Sequence, residues 1–369
     1  SQYKRFIELI HERETSGVLK GKHAAALTTS IHFFDHTAHQ YIRAVCEDLG
    51  MKYYDGYSAD MNDLFNEEDR RQIRLFARGF IQTIEADAPA ARTTAPLSFS
   101  DFVYRDSSSE AANSLEGMRA ALITDCQKGD DNLGRMIERF RSSFKEEFPL
   151  YNLHDLGIKG GCLGCLQCAY DNDCRYEDVD GYIDFYRNVV MKSDILVLAG
   201  RTRDRFLSST WKCFFDRSFF KTHTPTLAGK QIGMIVSGPY SQLHTLQQSL
   251  QGWFEIHPAN RVGAVSDESA DSRLIDRQLD DLGAKLVHAA RVKEQRPVSF
   301  LGVGGHKLFR DEVYGRLRGV FQADHRAYRR LGWYDFPARS LTFRQRLMTA
   351  VMTAAQRIKP AREQFQKRI

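Results

Sequence analysis

Four cysteines fall within one short stretch, Gly161-Cys162-Leu163-Gly164-Cys165-Leu166-Gln167-Cys168 closed by Cys174, which has the form C-x2-C-x2-C-x5-C. Three thiolates at two-residue gaps can wrap three corners of a cubane cluster from one loop. Small glycines let the backbone approach, and a fourth ligand follows nearby. Structural zinc more often takes two separated C-x2-C knuckles, so the tight triplet favours iron, as a [4Fe-4S] cluster, over zinc. Unligated thiols are the plain alternative. The chain has 7 cysteines, an odd number and clustered, which argues for metal rather than a disulfide framework. Cys46, Cys126 and Cys213 read as small buried apolar residues.

A second stretch with chemical capacity is Thr124-Asp125-Cys126-Gln127-Lys128-Gly129-Asp130-Asp131-Asn132-Leu133, a polar loop running into a helix. Hydroxyl, amide and Lys groups before a helix N-terminus suit a phosphate monoester. The loop is neither a P-loop nor a G-x-G-x-x-G fingerprint, and Asp130 and Asp131 serve equally as helix caps.

The elements that must position these loops alternate. Strands are expected over 119–124, 149–153, 194–199, 231–237 and 261–265, and helices over 132–144, 179–190, 209–220, 241–253 and 269–289. Such alternation implies a doubly wound parallel five-stranded sheet, whose ligands bind beyond the carboxyl ends of the strands. Both polar loops follow strands at that edge.

Part of this unit recurs. Ser1 to Glu8 aligns with Ser209 to Asp216, and Leu19-Lys20-Gly21-Lys22 with Leu227-Ala228-Gly229-Lys230, at one offset of 208; an apolar strand-like run follows each. Residues 1–85 are therefore expected to be a partial second copy, holding only the latter half of the unit. Alone it leaves a sheet edge and a face uncovered, so the expectation is either that Ser1 is not the native N-terminus or that the copy completes its sheet against another chain. Residues 86–118, rich in Ala, Ser, Thr and Pro, suit a linker. Residues 119–290 form the complete domain, and 291–369 a basic, mainly helical extension with about 18 Lys/Arg against about 6 Asp/Glu.

The order of strand, loop ending in Asn132, strand, cysteine motif, strand and Ser209-Thr210-Trp211-Lys212-Cys213-Phe214-Phe215-Asp216-Arg217 resembles the NAD(P)H-dependent FMN reductases of flavodoxin-like fold. The cysteine pattern resembles their iron-sulfur flavoprotein branch. The resemblance implies an FMN phosphate held by Thr124, Gln127, Lys128, Asn132 and Leu133. Where the family often has Pro-x-Tyr beside the flavin ring, this chain has Gly200-Arg201-Thr202-Arg203. Arg201 and Arg203 then serve a reduced anionic flavin or a phosphate of NAD(P)H, unless they are merely solvated. Ser237-Gly238-Pro239-Tyr240 resembles the second ring segment, with Tyr240 available for stacking. The resemblance also implies a homo-oligomer and NAD(P)H as electron partner, while ferredoxin is the alternative that the basic extension suggests.

In the partial copy the matching loop carries His32, Asp35, His36 and His39, a set for metal or proton transfer, though helix caps and interface residues are the preferred reading. The glycine run Gly302-Val303-Gly304-Gly305 follows no strand–helix fingerprint and is not read as a dinucleotide site. Residues 310–328 read as a basic helix, and 341–358 place Leu347, Val351, Ala355 and Ile358 on one face. Packing over the core, docking an acidic partner such as ferredoxin, and lying on an anionic membrane are the three uses, in that order.

The chain has 369 residues, 42% hydrophobic and 27% charged, enough for one large core or two ordinary ones. Disorder and collagen are excluded, and no apolar run approaches the ~20 residues that cross a bilayer. Nothing resembling an export signal opens the sequence, so a cytoplasmic location is expected. A formal net charge of +5 without a reading module gives no case for nucleic acid. The resulting expectation is an oxidoreductase passing electrons between FMN and a [4Fe-4S] cluster. The rivals are a cluster-free reductase of quinones, nitro or azo compounds, and a non-catalytic scaffold.

Overall fold

The computed structural model describes residues 1–30, 32–60, 63–107, 110–129, 131–315 and 317–335, and residues 343, 344, 347, 348, 350 and 351 beyond them. In chain order the elements are α1 (Gln2–Glu12), β1 (His23–Thr29), α2 (Asp35–Asp48), β2 (Lys52–Ala59), α3 (Glu67–Glu85), β3 (Ala120–Thr124), α4 (Asp131–Ser142), β4 (Leu150–Asn152) and α5 (Tyr182–Phe185). They continue as β5 (Ile195–Arg201), α6 (Ser209–Arg217), β6 (Gln231–Ser237), α7 (His244–Ile256), β7 (Asn260–Ser266), α8 (Ser272–Val292), α9 (Phe300–Tyr314) and α10 (Gln322–Arg330). By packing, Ser1–Asp324 is one compact unit and His325–Ile369 another.

The main sheet is parallel throughout, in the order β4-β3-β5-β6-β7. Numbered within the domain this is 2-1-3-4-5, the doubly wound flavodoxin-like order. Its three central strands, β3, β5 and β6, are buried on both faces, as inner strands of a parallel sheet must be. Ala121, Ile123, Leu196 and Leu198 point to one side, with Trp211 and Phe214 of α6 and Leu246 and Leu250 of α7. Leu122, Ile195 and Val197 point to the other, with Ile137 and Phe140 of α4 and Ile275 and Leu279 of α8. Each such Leu, Ile or Phe contributes about 1.5–3 kcal/mol of burial. The single reversal of strand order falls between β3 and β5, and the loops that follow those strands open at the carboxyl edge.

Strands β1 and β2 pair in parallel as a separate two-stranded sheet. At the 208-residue offset β1 matches β6, α2 matches α7, β2 matches β7 and α3 matches α8. The matched elements also meet one another, α1 packing on α6 and α2 on α7. The contacts are reciprocal. Ser209 N donates to Glu8 Oε1 at 2.7 Å and its hydroxyl to Glu8 Oε2, while Ser1 N donates to Asp216 Oδ2 at 2.7 Å. The offset converts Ser1 into Ser209 and Glu8 into Asp216, so the pairing has the isologous form of a two-fold dimer. Lys4–Glu8 at 2.8 Å and Lys212–Asp216 are likewise images. Lys4 also pairs with Asp204 at 3.3 Å, where Tyr41 donates its hydroxyl at 3.0 Å, and Lys4, Glu8 and Asp204 are all buried.

Two helices depart from expectation. The helix expected over 179–190 is regular only from Tyr182 to Phe185 and continues as a π turn, Tyr186–Val190, closed by Met191 N to Tyr186 O at 2.8 Å. The basic helix expected over 310–328 is broken between Tyr314 and Gln322. The glycine run lies inside α9, which packs on α7. A Cβ at Gly305 would stand 2.1 Å from the Phe33 ring, so the run is a packing seam. In the C-terminal unit Tyr328 packs against Trp333 and Tyr334, and His325 Nδ1 lies 2.9 Å from the Tyr334 hydroxyl. Of the apolar face expected over 341–358, Leu347 and Val351 are exposed, and Ala355 and Ile358 lie outside the described residues. Among the described residues no helix is long and apolar enough to cross a membrane.

Candidate functional site

A polar cleft of about 640 Å³ opens at the carboxyl ends of the strands, lined by loops following β3, β5, β6 and β7. Asn132, Arg201, Thr202, Ser237, Gly238 and Pro239 line it, as do Gly129 and Asp131. The loop after β3 turns because Thr124 Oγ1 accepts Cys126 N at 3.0 Å. Gly129 has φ +99° and open space where a Cβ would stand. After β6, Gly238 adopts φ +124°, and a Cβ there would lie 2.0 Å from Thr202 Oγ1, so only glycine lets the loops after β5 and β6 approach.

Asp267, which the sequence reading did not single out, holds this edge together. It accepts Ser237 Oγ at 2.8 Å, Gly238 N at 2.7 Å and Asn132 Nδ2 at 2.9 Å. Glu268 next to it accepts Ser241 N at 2.7 Å and Gln242 Nε2 at 2.9 Å. Burial pushes the Glu268 carboxyl up, but these donors hold it below the usual carboxylate range. Asn132 is fully engaged, because its Oδ1 accepts Tyr104 N at 2.9 Å and its Nδ2 also reaches Phe102 O at 2.8 Å. Its amide thus anchors residues 98–104 rather than facing open space.

That segment is the larger surprise. Ser98 to Phe102, read from sequence as linker, form one wall of the cleft. They are fixed by Ser98 N to Gln242 Oε1 at 3.0 Å and by Arg135 Nη1 to Tyr104 O at 2.8 Å. The remaining expected flavin residues sit elsewhere. Leu133 is fully buried in the core, and Tyr240 is turned inward with its hydroxyl 3.8 Å from Met234 Sδ, so neither reaches the cleft. Thr124, Gln127 and Lys128 share the loop with Gly129 but do not line the cleft, and Gln127 Nε2 lies 3.0 Å from His154 Nε2. Arg203 lines a neighbouring hollow of about 380 Å³ with Glu8, Glu12 and Asp204; Arg201 borders both.

The cysteine loop follows β4 and winds through Gly164 at φ +63° and Leu166 at φ +57°. Cys162, Cys165, Cys168 and Cys174 all line one hollow of about 20 Å³, together with Arg217, Tyr176, Phe219 and Phe220. All four are free thiols; Cys162 and Cys165 are exposed, Cys168 buried and Cys174 half-buried. Burial, and then the neighbouring cysteines, push the Cys168 thiol up to about 12. Gly164 N points at Cys162 Sγ at 3.5 Å. Among the described residues no three His, Cys, Asp or Glu side chains form a ready-made metal group.

Behind the hollow lies Arg217, a residue of the motif to which no role was assigned. It forms a bidentate pair with Asp180 at 2.9 and 3.0 Å, donates to Gly160 O at 3.1 Å and lies 3.9 Å from the Tyr176 ring centre. Burial pushes the Asp180 carboxyl up, but Arg217 and two backbone donors hold it below its ordinary value. A fixed positive charge therefore stands beside four potential thiolates.

No family model matches the chain. An iron-sulfur flavoprotein of Archaeoglobus fulgidus is 25% identical to it over 185 residues, which are 48% of this chain and 82% of that protein. The chain resembles the iron-sulfur flavoproteins of flavodoxin-like fold. Solved structures similar to it include RosB with its bound intermediate (12% identity, 53% of this chain and 88% of that one, TM-score 0.40) and the azoreductase AzrA (11%, 47% and 98%, 0.34). A flavodoxin of Streptococcus pneumoniae TIGR4 is 13% identical over 46% of this chain and 97% of its own, at a TM-score of 0.30. The strand order, rather than these scores, carries the fold.

The His32 loop after β1 is knitted into caps. His32 Nδ1 lies 2.9 Å from Asp35 Oδ2, Asp35 Oδ1 accepts His36 N at 2.7 Å, and His39 Nε2 lies 2.7 Å from Thr28 Oγ1.

Proposed function

We propose that the chain is an FMN-dependent oxidoreductase of iron-sulfur flavoprotein type, carrying its cluster on Cys162, Cys165, Cys168 and Cys174. The observation that carries this reading is the convergence of four free thiols of one C-x2-C-x2-C-x5-C loop on a single hollow, in a domain whose sheet edge opens a polar cleft. A soft, all-thiolate donor set with Arg217 behind it suits a cluster of net negative charge. The cleft suits FMN in size, with the ring over the Thr202 and Gly238 loops, Arg201 as the cation on its wall, and the phosphate near Gly129 at the start of α4. The Asn132 side-chain amide, already engaged, is not among the phosphate donors on this reading, which leaves its backbone N–H at the start of α4.

FMN, when bound, exchanges electrons in pairs or singly, and a cluster exchanges them singly. The chain's own residues then have positional tasks. Asp267 fixes the loops after β6 and β7, residues 98–102 shield one side of the cleft, and Arg201 offers a cation to a reduced ring or to a nicotinamide phosphate. NAD(P)H is the favoured donor, with ferredoxin as the alternative partner. A cluster-free NAD(P)H-dependent reductase is the second reading, favoured by the lack of a ready-made metal group among the described residues. Iron, sulfide and FMN assays on anaerobically purified wild type and Cys165→Ser separate them. The first reading expects about four irons per chain, reduced in the variant with FMN retained. FMN without iron in both proteins establishes the second.

A further inference from the structure

A second cavity, of about 510 Å³, lies away from the polar cleft and shares no lining residue with it. Its walls are rings: Phe33 and Phe34 from the partial copy, Phe215, Phe219 and Trp253 from α6, the turn after it and α7, and Phe309 from α9. None of the six is buried like a core residue; all are partly exposed to the cavity. They are nevertheless held in place. Phe33 meets Phe34 edge-on at 4.8 Å and Phe309 at 5.4 Å, Phe215 meets Trp253 at 5.1 Å, and the Trp253 indole N–H donates to Ser218 Oγ at 3.0 Å. The ionisable side chains on its wall are engaged or buried: Lys212 pairs with Asp216, which also accepts Ser1 N, His223 Nδ1 lies 2.9 Å from Asp324 Oδ2, and His257 is buried.

We propose that this cavity binds an uncharged planar aromatic molecule of about three fused rings. Its volume falls in the range of small-molecule sites, and pre-positioned aromatic faces and edges favour a flat π-system over a branched or charged ligand. The location adds a consequence. Cys162 and Phe219 line both this cavity and the four-cysteine hollow, so a ring bound here rests against the thiol loop. The site exists because the partial copy docks by its two-fold-like contacts and brings Phe33 and Phe34 over α7, where a Cβ at Gly252 would already lie 3.3 Å from the Phe34 ring. The binding claim does not depend on the cysteines holding a cluster.

Equilibrium dialysis of phenazine against the full chain saturated with FMN tests it. One saturable site per chain is expected, with Ser249→Trp weakening binding at least tenfold and Ser249→Ala leaving it unchanged; Ser249 lines the cavity and otherwise only caps Thr245 O within its own helix. Should Ser249→Trp lose its cooperative melt, Phe33→Ala replaces it, with at least fivefold weakening expected. Absence of saturable binding, binding abolished by FMN, or equal affinity in wild type and the folded variant would overturn the proposal.

Discussion

Replacing Arg217 by Met removes the guanidinium that joins α6 to the cysteine loop while preserving much of its apolar stem. Both members of the Arg217–Asp180 pair are buried, with side chains 1% and 0% exposed, so the variant leaves a carboxylate in the interior without its charged partner. Breaking a buried pair from one side costs about 3–5 kcal/mol. Asp180 keeps hydrogen bonds from Lys159 N at 3.1 Å and Tyr182 N at 3.2 Å, which places the expected loss near the lower limit, about 3 kcal/mol at pH 7. The pH dependence follows in sign. In the wild type the Asp180 pKa is depressed, so its contribution is present above the unfolded value near ~3.9 and is lost as pH falls through the folded value. In the variant the carboxyl rises and is neutralised in mild acid, so the gap between the two proteins narrows as pH falls toward 4. Urea melts followed by circular dichroism at pH 7 and pH 4 measure both terms. A further Asp180→Leu substitution should recover most of the loss. A destabilisation under about 1 kcal/mol, or one equal at both pH values, refutes the assignment of Arg217 as the buried anchor of this loop.

Burial, and then the charges of His223 and His306, lower the His257 pKa to about 3, so the unfolded chain takes a proton below about 6.5 that the folded chain refuses. Stability should therefore fall by about 2 kcal/mol between pH 7 and pH 5 from this residue, and urea melts of His257→Leu should show that much less acid sensitivity; an identical slope in the variant contradicts the burial argument. Glu8→Gln weakens the charged receptor for Ser209 and the buried partner of Lys4, and should speed amide hydrogen exchange in α1 and α2 at least tenfold while leaving β3 and β5 unchanged. Unchanged exchange in α1 would mean that the reciprocal contacts do not hold the partial copy in place. Gly238→Ala should weaken FMN binding at least tenfold by fluorescence titration because its Cβ collides with Thr202. Gly229→Ala, also at positive φ but with no atom closer than 4.0 Å, should cost about 1 kcal/mol of stability and leave FMN affinity alone.

The main sheet was legible because its strands are short apolar runs between amphipathic helices, a pattern with a single low-strain arrangement. The runs over 23–29 and 231–237 coincide with β1 and β6 to the residue, since both end where polar loop residues begin. The four cysteines line one hollow for another reason: they are neighbours in sequence, and one loop brings them together. What escaped depends on long-range partners. Residues 98–102 have no periodicity, and their place on the cleft wall comes from Asn132 and Gln242, which lie far along the chain. Tyr240 carries a ring in the right loop, yet packing against Met234 turns it inward. The offset of 208 announced a repeat without saying that α1 and α2 would pair with their own images, and so left the aromatic cavity unseen.

The most direct test of the central claim is an anaerobic reductive titration of the purified chain with dithionite, followed by absorbance across the visible range. An FMN together with one [4Fe-4S] cluster predicts uptake of about three electrons per chain, two by flavin and one by cluster. Uptake of about two electrons with a spectrum of flavin alone contradicts the cluster, and no uptake contradicts the account as a whole.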